Sequence, residues 1–229
     1  MGAFDGFPRG GSRFFHELAL EQNREWFNAH KSQYESLWVR PMNALLEDLH
    51  ARLSRVYKPR RLAPPKMYRI YRDVRFSKDK TPYKTNISAI LTLQKPGAGS
   101  IMEAPAVLYA HFGTDRVAAA GAWMIDGPAL VRYRAAVDDR KKGAALSRII
   151  DTLQDAGVTV GAHSSLAKMP RGFLPSHPRA ALLRQKGLMV SFPPAPVKLL
   201  SSPKLVEHLV KQSTSAKPLL EWLMKNVIL

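Results

Sequence analysis

Apolar residues recur at three- and four-residue spacing in the first quarter of the chain and at two-residue spacing in its middle. The expected order is therefore helix, then sheet, then helix again. Phe14, Phe15 and Leu18 mark a short helix with Ser12 as its N-cap, and Asn23 is a second cap for the turn over residues 24–30. Ser32-Gln33-Tyr34-Glu35 has the form of a capping box opening a long helix to about Val56. In that helix Met42, Leu45, Leu46, Leu49, Leu53 and Val56 fall on one stripe, and Pro41 is expected to kink it or to start a second segment. The aromatics Trp26, Phe27, Tyr34 and Trp38 read as packing groups.

Past Lys58-Pro59 and Ala63-Pro64-Pro65 the period changes to two. Over residues 68–76, Tyr68, Ile70, Val74 and Phe76 alternate with Arg69, Tyr71, Asp73 and Arg75, which predicts a strand with one buried and one polar face, interrupted by Arg72 on the buried side. Residues 86–93, 106–112 and 116–124 predict three more strands, the last two joined by a hairpin loop at Gly113-Thr114-Asp115. Asp126-Gly127-Pro128 begins a helix carrying Leu130, Tyr133 and Val137 inward, residues 138–142 read as a solvated turn, and a second helix spans about 144–156 before Gly157. Helices start behind His177-Pro178 and Ser202-Pro203, with a strand-like 188–192 between them and a final apolar helix ending near Ile228. This order predicts one α+β domain over residues 1–229, an antiparallel β-meander packed against N-terminal and C-terminal helices, with the first dozen residues a flexible tail.

Composition narrows the class without naming a reaction. With 45% hydrophobic and 23% charged residues the chain is of soluble globular type. Zero cysteines exclude disulfides, thiolate zinc sites and cysteine nucleophiles. Residues 1–13 hold no apolar run of signal-peptide length, and the run 117–125 is about half the ~20 residues a membrane helix needs, so a cytoplasmic protein without membrane contact is expected. No metal and no cofactor is expected either, because no His-Glu-x-x-His, acidic calcium loop or nucleophile elbow occurs. Gly97-Ala98-Gly99-Ser100-Ile101-Met102 lacks the third glycine of a dinucleotide fingerprint. Asp139-Arg140-Lys141 has the Asp-x-Lys spacing of some nuclease strands but falls in a polar turn.

Charge changes the picture. The 35 Lys and Arg against 18 Asp and Glu give a formal net +17, and two blocks hold the whole excess. Residues 58–95 carry 11 basic and 2 acidic side chains, and residues 164–229 carry 10 and 2. Such blocks shape a face for an anion. The densest part is the run 69–86, in which Arg69, Arg72, Arg75, Lys78, Lys80 and Lys84 outnumber Asp73 and Asp79. Arg69 and Arg75 are expected on one strand face, with Asp73 between them to hold one in a bidentate pair. Arg171, beside Gly172 in a second turn, is a further anion-binding candidate.

Together with Phe14-Phe15, Asn23-Arg24-Glu25-Trp26-Phe27, His30-Lys31, Pro170-Arg171-Gly172-Phe173 and His177-Pro178, this segment closely resembles the bacterial and fungal family catalogued as domain of unknown function 2461. The resemblance runs over most of the chain, Met169 and the Ala-rich 117–123 being small departures. It brings no reaction, cofactor or catalytic residue with it. Three functions stay open. The first is binding of a phosphate-bearing ligand or nucleic acid through residues 69–86, with stacking rings expected at Tyr71 and Tyr83 because alternation turns Tyr68 and Phe76 inward. The second is an enzyme on a phosphorylated or carboxylated small substrate, with Arg69, Arg72 or Arg75 as clamp and Asp73, Asp79 or His30 in proton transfer. The third is a protein-interaction domain for an acidic partner. Against all three stands a structural role, in which Arg72, Arg75, Asp73 and Asp79 tie the loop to the N-terminal helices through Glu25 or Glu17. His177 reads as a hydrogen-bonded structural residue.

Overall fold

Asn23 opens the first long helix by accepting the Trp26 N–H on its side-chain oxygen at 2.8 Å. In the computed structural model, which describes residues 3–94 and 104–228, α1 (Gly11–Leu20) precedes α2 (Arg24–Tyr34) and α3 (Arg40–Val56). The last two join through one turn of π-helix, Glu35–Val39, without leaving helical geometry. The capping box expected at Ser32 therefore lies inside a helix and caps nothing. Pro41 brings no N–H to the ladder, and the turn ahead of it widens instead of breaking. Ser12 is likewise no cap, because α1 starts at Gly11 behind Gly10, whose φ of 89° suits glycine.

Four strands follow in sequence: β1 (Lys66–Met67), β2 (Asn86–Thr92), β3 (Ala106–Gly113) and β4 (Arg116–Ala122). After α4 (Gly127–Asp138) and α5 (Arg140–Asp155) come β5 (Thr159–Gly161), α6 (Ala180–Arg184) and β6 (Leu188–Phe192). Helices α7 (Val197–Leu200), α8 (Lys204–Ser215) and α9 (Lys217–Leu223), with a closing π turn over Met224–Ile228, complete the fold. The protein is α+β: one open six-stranded antiparallel sheet in the order β1-β2-β3-β4-β6-β5, with helices from both ends of the chain. Asp139, expected in a solvated turn, caps α5 by accepting the Lys141 and Lys142 N–H groups, so that helix begins four residues early.

One face of the sheet makes the core. Ile87, Ala89 and Leu91 of β2, Leu108, Ala110 and Phe112 of β3, Ala118 and Ala120 of β4 and Leu188, Val190 and Phe192 of β6 are all buried, and α1, α3, α8 and α9 pack against these strands. A buried polar link crosses this layer. Tyr57 donates its hydroxyl to Ser213 O at 2.7 Å, and the Ser213 hydroxyl donates to Val107 O at 2.7 Å. The flexible tail is not what the structure describes for residues 4–10. Phe4 and Phe7 are each 3% exposed, the Phe7 ring lies 4.9 Å from Trp38 and 5.3 Å from Phe112, and the Phe7 N–H donates to Leu200 O.

The strand expected over 68–76 is also corrected. Only Lys66 and Met67 pair with β2, opposite Ile90 and Ala89. Beyond the bond from Tyr68 N–H to Ser88 O, the chain leaves the sheet and pairs with itself: Arg72 N–H donates to Pro82 O, Lys84 N–H to Ile70 O, and Tyr71 bridges Tyr83. Without a neighbouring strand the alternation still sets burial as far as Arg75, with Arg69, Tyr71, Asp73 and Arg75 exposed between less exposed neighbours, and it fails at Phe76. Ile70 is buried, but Phe76 is 96% exposed. The segment Gly97 to Met102 lies outside the described residues.

Candidate functional site

The loop from residue 69 to residue 86 is held in shape by its own carboxylates. Arg75 grips Asp73 with both arms of its fork, Nε to Oδ1 at 2.9 Å and Nη2 to Oδ2 at 2.6 Å, as the spacing predicts. Arg72 Nη1 donates to Asp79 Oδ2 at 2.5 Å and to Thr81 O at 3.2 Å, and also meets the Thr81 hydroxyl. Asp79 Oδ1 in turn accepts the Thr81 N–H and hydroxyl at 2.9 and 2.8 Å. These donors favour the ionised form. The Arg75 side chain, then its N–H, brings the Asp73 carboxyl down to about 2. The Thr81 N–H and hydroxyl, then Arg72, bring Asp79 down to about 2.

The remaining cations find no carboxylate among the described residues. Lys80 Nζ donates to Val74 O at 2.9 Å and Lys84 Nζ to Arg69 O at 2.8 Å. Main-chain oxygens orient an ammonium group but do not neutralise it. The side chains of Arg69 and Lys78 are exposed and make no hydrogen bond or ion pair among the described residues. Burial, with Arg69 nearby, lowers the pKa of Lys84. Arg72 and Arg75 are thus braces, while Lys78, Lys80 and Lys84 keep uncompensated charge and Arg69, near enough to help lower the Asp73 pKa, makes no direct ion pair. The exposed Phe76 ring stands at the loop tip, 5.9 Å from the Arg75 guanidinium.

Aromatic packing, not Glu17 or Glu25, ties this loop to the N-terminal helices. Tyr83 stacks on Phe27 at 4.5 Å and donates its N–H to Gln22 Oε1 at 3.1 Å, and Tyr71 meets Phe27 edge-on at 6.1 Å. Glu17 is taken by Arg13 at 2.7 Å. Tyr83 is buried and so is no stacking ring for a ligand; Tyr71 is half exposed. His30 bonds through Nδ1 to Trp26 O at 2.8 Å, stacks on Trp26, and lines a depression with Gly10, Arg13 and Gln33 that includes no residue of the loop. Arg171 is exposed and makes no hydrogen bond or ion pair among the described residues, with the loop or otherwise. His177 is structural, accepting the Arg179 N–H and facing Asp138 at 3.2 Å.

Sequence reasoning missed the sheet's other face. No described helix packs on it, yet Ile90, Tyr109, Val117, Ala119 and Met189 occupy it and line a groove of about 450 Å³. The Tyr109 hydroxyl lies 3.1 Å from His111 Nδ1. His111 Nε2 is 3.1 Å from Asp115 Oδ1 but not aligned for a hydrogen bond. Burial raises the Tyr109 hydroxyl pKa, with a Ser88 hydrogen bond opposing it. At one rim Lys84 and Lys66 hold their ammonium groups 5.5 and 5.8 Å from the Tyr68 ring centre. At the other, half-exposed Trp123 stacks on His163 at 4.0 Å. The strand pattern held a trace of this face, since Tyr109 and His111 alternate with the buried Leu108, Ala110 and Phe112. A second basic cleft joins Arg60, Lys141, Lys142 and Lys225, with Arg60 paired to Glu221 at 2.9 Å. Among the described residues no three His, Asp or Glu side chains gather as metal ligands, and no helix is long and apolar enough to cross a membrane.

A family model described as conserved hypothetical protein (DUF2461) matches residues 11–222. Among curated proteins and among solved structures, nothing matches the chain.

Proposed function

The chain belongs to the DUF2461 family of conserved hypothetical proteins, and we propose that it binds a phosphate-bearing polyanion, nucleic acid, through the loop over residues 69–86. The reading takes the protein as a single domain acting in the cytoplasm. One observation carries it: the loop spends both its carboxylates on its own shape, leaving Lys78, Lys80 and Lys84 with charge that no described carboxylate cancels and Arg69 without a direct ion pair. Rigid presentation lowers the ordering cost of binding, and an exposed aromatic beside cations suits a strand with bases and phosphates. Arg171 adds a separate cation outside this loop.

Catalysis by the loop carboxylates finds less support. A carboxylate with a pKa of about 2 is a weak proton acceptor near neutrality, and His30 lines a depression away from the loop residues. Anisotropy of a labelled oligonucleotide across a salt series tests the proposal. Binding at low salt should weaken with log salt at roughly −0.7 per phosphate contact on a single strand and −0.9 on a duplex. Flat salt dependence, or no binding at ~25 mM salt, overturns it. Capture of an acidic protein in its place returns the function to protein interaction.

A further inference from the structure

We propose that the open face of the sheet stacks the base of a nucleotide unit, with Lys84 and Lys66 meeting the attached phosphate at the groove's rim. This rests on the polyanion reading of the loop and specifies the ligand as unpaired.

The exposed face of an antiparallel sheet is ordinarily polar. Here the middle strands carry Tyr109, Val117, Ala119 and Met189 across their open side. The small Ala119 side chain sits among them and leaves depth where a large residue would fill it. The resulting volume, about 450 Å³, falls in the ordinary range for ligand pockets. Rings border it at both ends. Tyr68 and Tyr109 lie 6.4 Å apart on the loop side, and Trp123 stands half exposed on the other. A flat aromatic group matches such a surface because any base offers a π-face to stack.

Polar groups at the rim fit the rest of a nucleotide. Lys84 belongs to the basic loop through its bond to Arg69 O and also sits over the Tyr68 ring, so the loop's charge reaches the groove without a gap. Lys66 approaches the same ring from β1. The Tyr109 hydroxyl and Ser191 offer hydrogen bonds to a base edge. Asp115, the carboxylate at this edge, faces His111. A duplex keeps its bases paired inside and cannot lay one on a sheet, so the groove calls for a single strand or a free nucleotide.

The test titrates the whole chain with a labelled 12-nucleotide single strand, the same sequence as duplex, and adenosine monophosphate, reading anisotropy and tryptophan fluorescence. The single strand should bind more tightly than the duplex and quench fluorescence through Trp123. Ala119→Leu fills the groove from β4, and Ser191→Leu fills it from the exposed neighbouring position on β6. In whichever variant keeps the wild-type melting temperature, single-strand affinity should fall about 5- to 100-fold with loss of quenching, while duplex binding stays constant. Competition by the mononucleotide identifies a free nucleotide as a ligand; its failure assigns the site to a strand. Unchanged single-strand binding and quenching in a folded groove variant overturns the inference and leaves the loop reading standing. Loss of salt-dependent binding to every probe overturns the loop reading itself.

Discussion

Neutralising Lys78 and Lys80 together separates a binding loop from a merely basic surface. Both are exposed, neither faces a carboxylate, and the one hydrogen bond removed, Lys80 to Val74 O, is open to water. If Arg69, Lys78, Lys80 and Lys84 each meet one phosphate of a single strand, the slope of log affinity against log salt is about −2.8, so affinity falls about 50-fold between 50 and 200 mM salt. In Lys78→Gln/Lys80→Gln the slope should shrink to about −1.4, and the same change in salt should then cost only about 7-fold. Exposed substitutions of this kind shift stability by no more than about 0.5 kcal/mol, so the melting temperature should stay within ~2 °C. The control is Lys198→Gln/Lys204→Gln, which removes equal charge at exposed positions outside the loop. Anisotropy with one labelled oligonucleotide reads all three proteins. An unchanged slope in the loop variant, or an equal reduction in the control, refutes the reasoning, because binding would then follow net charge and not this loop.

Three further outcomes follow from the same geometry. Arg72→Ala removes the brace on Asp79 and Thr81, so trypsin should nick the loop after Arg75, Lys78 or Lys80 faster while global melting hardly moves; equal nicking would show that the brace does not order the loop. Asp73 and Asp79 have pKa values lowered to about 2, so their contribution to loop order is full above the ordinary carboxylate value and lost as pH falls through about 2. The Arg75 and Thr81 amide signals should titrate with midpoints near 2, and midpoints near 4 would contradict the bonds described. Phe7→Ala empties a site between Trp38 and Phe112 and should cost about 3 kcal/mol, or roughly 6–12 °C in melting temperature; an unaltered melting temperature would return residues 4–10 to the status of a tail.

Helical periodicity made α3 readable because its stripe, Met42 to Leu53, faces the core as spaced. Strands β2, β3, β4 and β6 were readable as short runs of apolar residues, although burial alternates only along β6 and most of β3. Where a sequence pattern lacks information about a partner, the reading fails. Residues 68–76 alternate like a strand, but no neighbouring strand pairs beyond Met67, so Phe76 points into solvent. Phe4 and Phe7 are too few to show a period, and their burial depends on Trp38 and Phe112, distant in sequence. The pair Asp73–Arg75 was legible because it is local. The groove was not, since knowing that Tyr109 and Ala119 share an uncovered face requires knowing which side the helices take.

Cations at residues 69–84 and the adjoining open sheet face are proposed to receive a nucleic acid strand. Backbone amide mapping during titration with an unlabelled single strand at low salt tests it most directly. Shifts should concentrate at Arg69, Lys78, Lys80 and Lys84 and along Tyr109, Ala119 and Ser191. Shifts centred instead on Arg60, Lys141, Lys142 and Lys225, or no shifts at all, would contradict it.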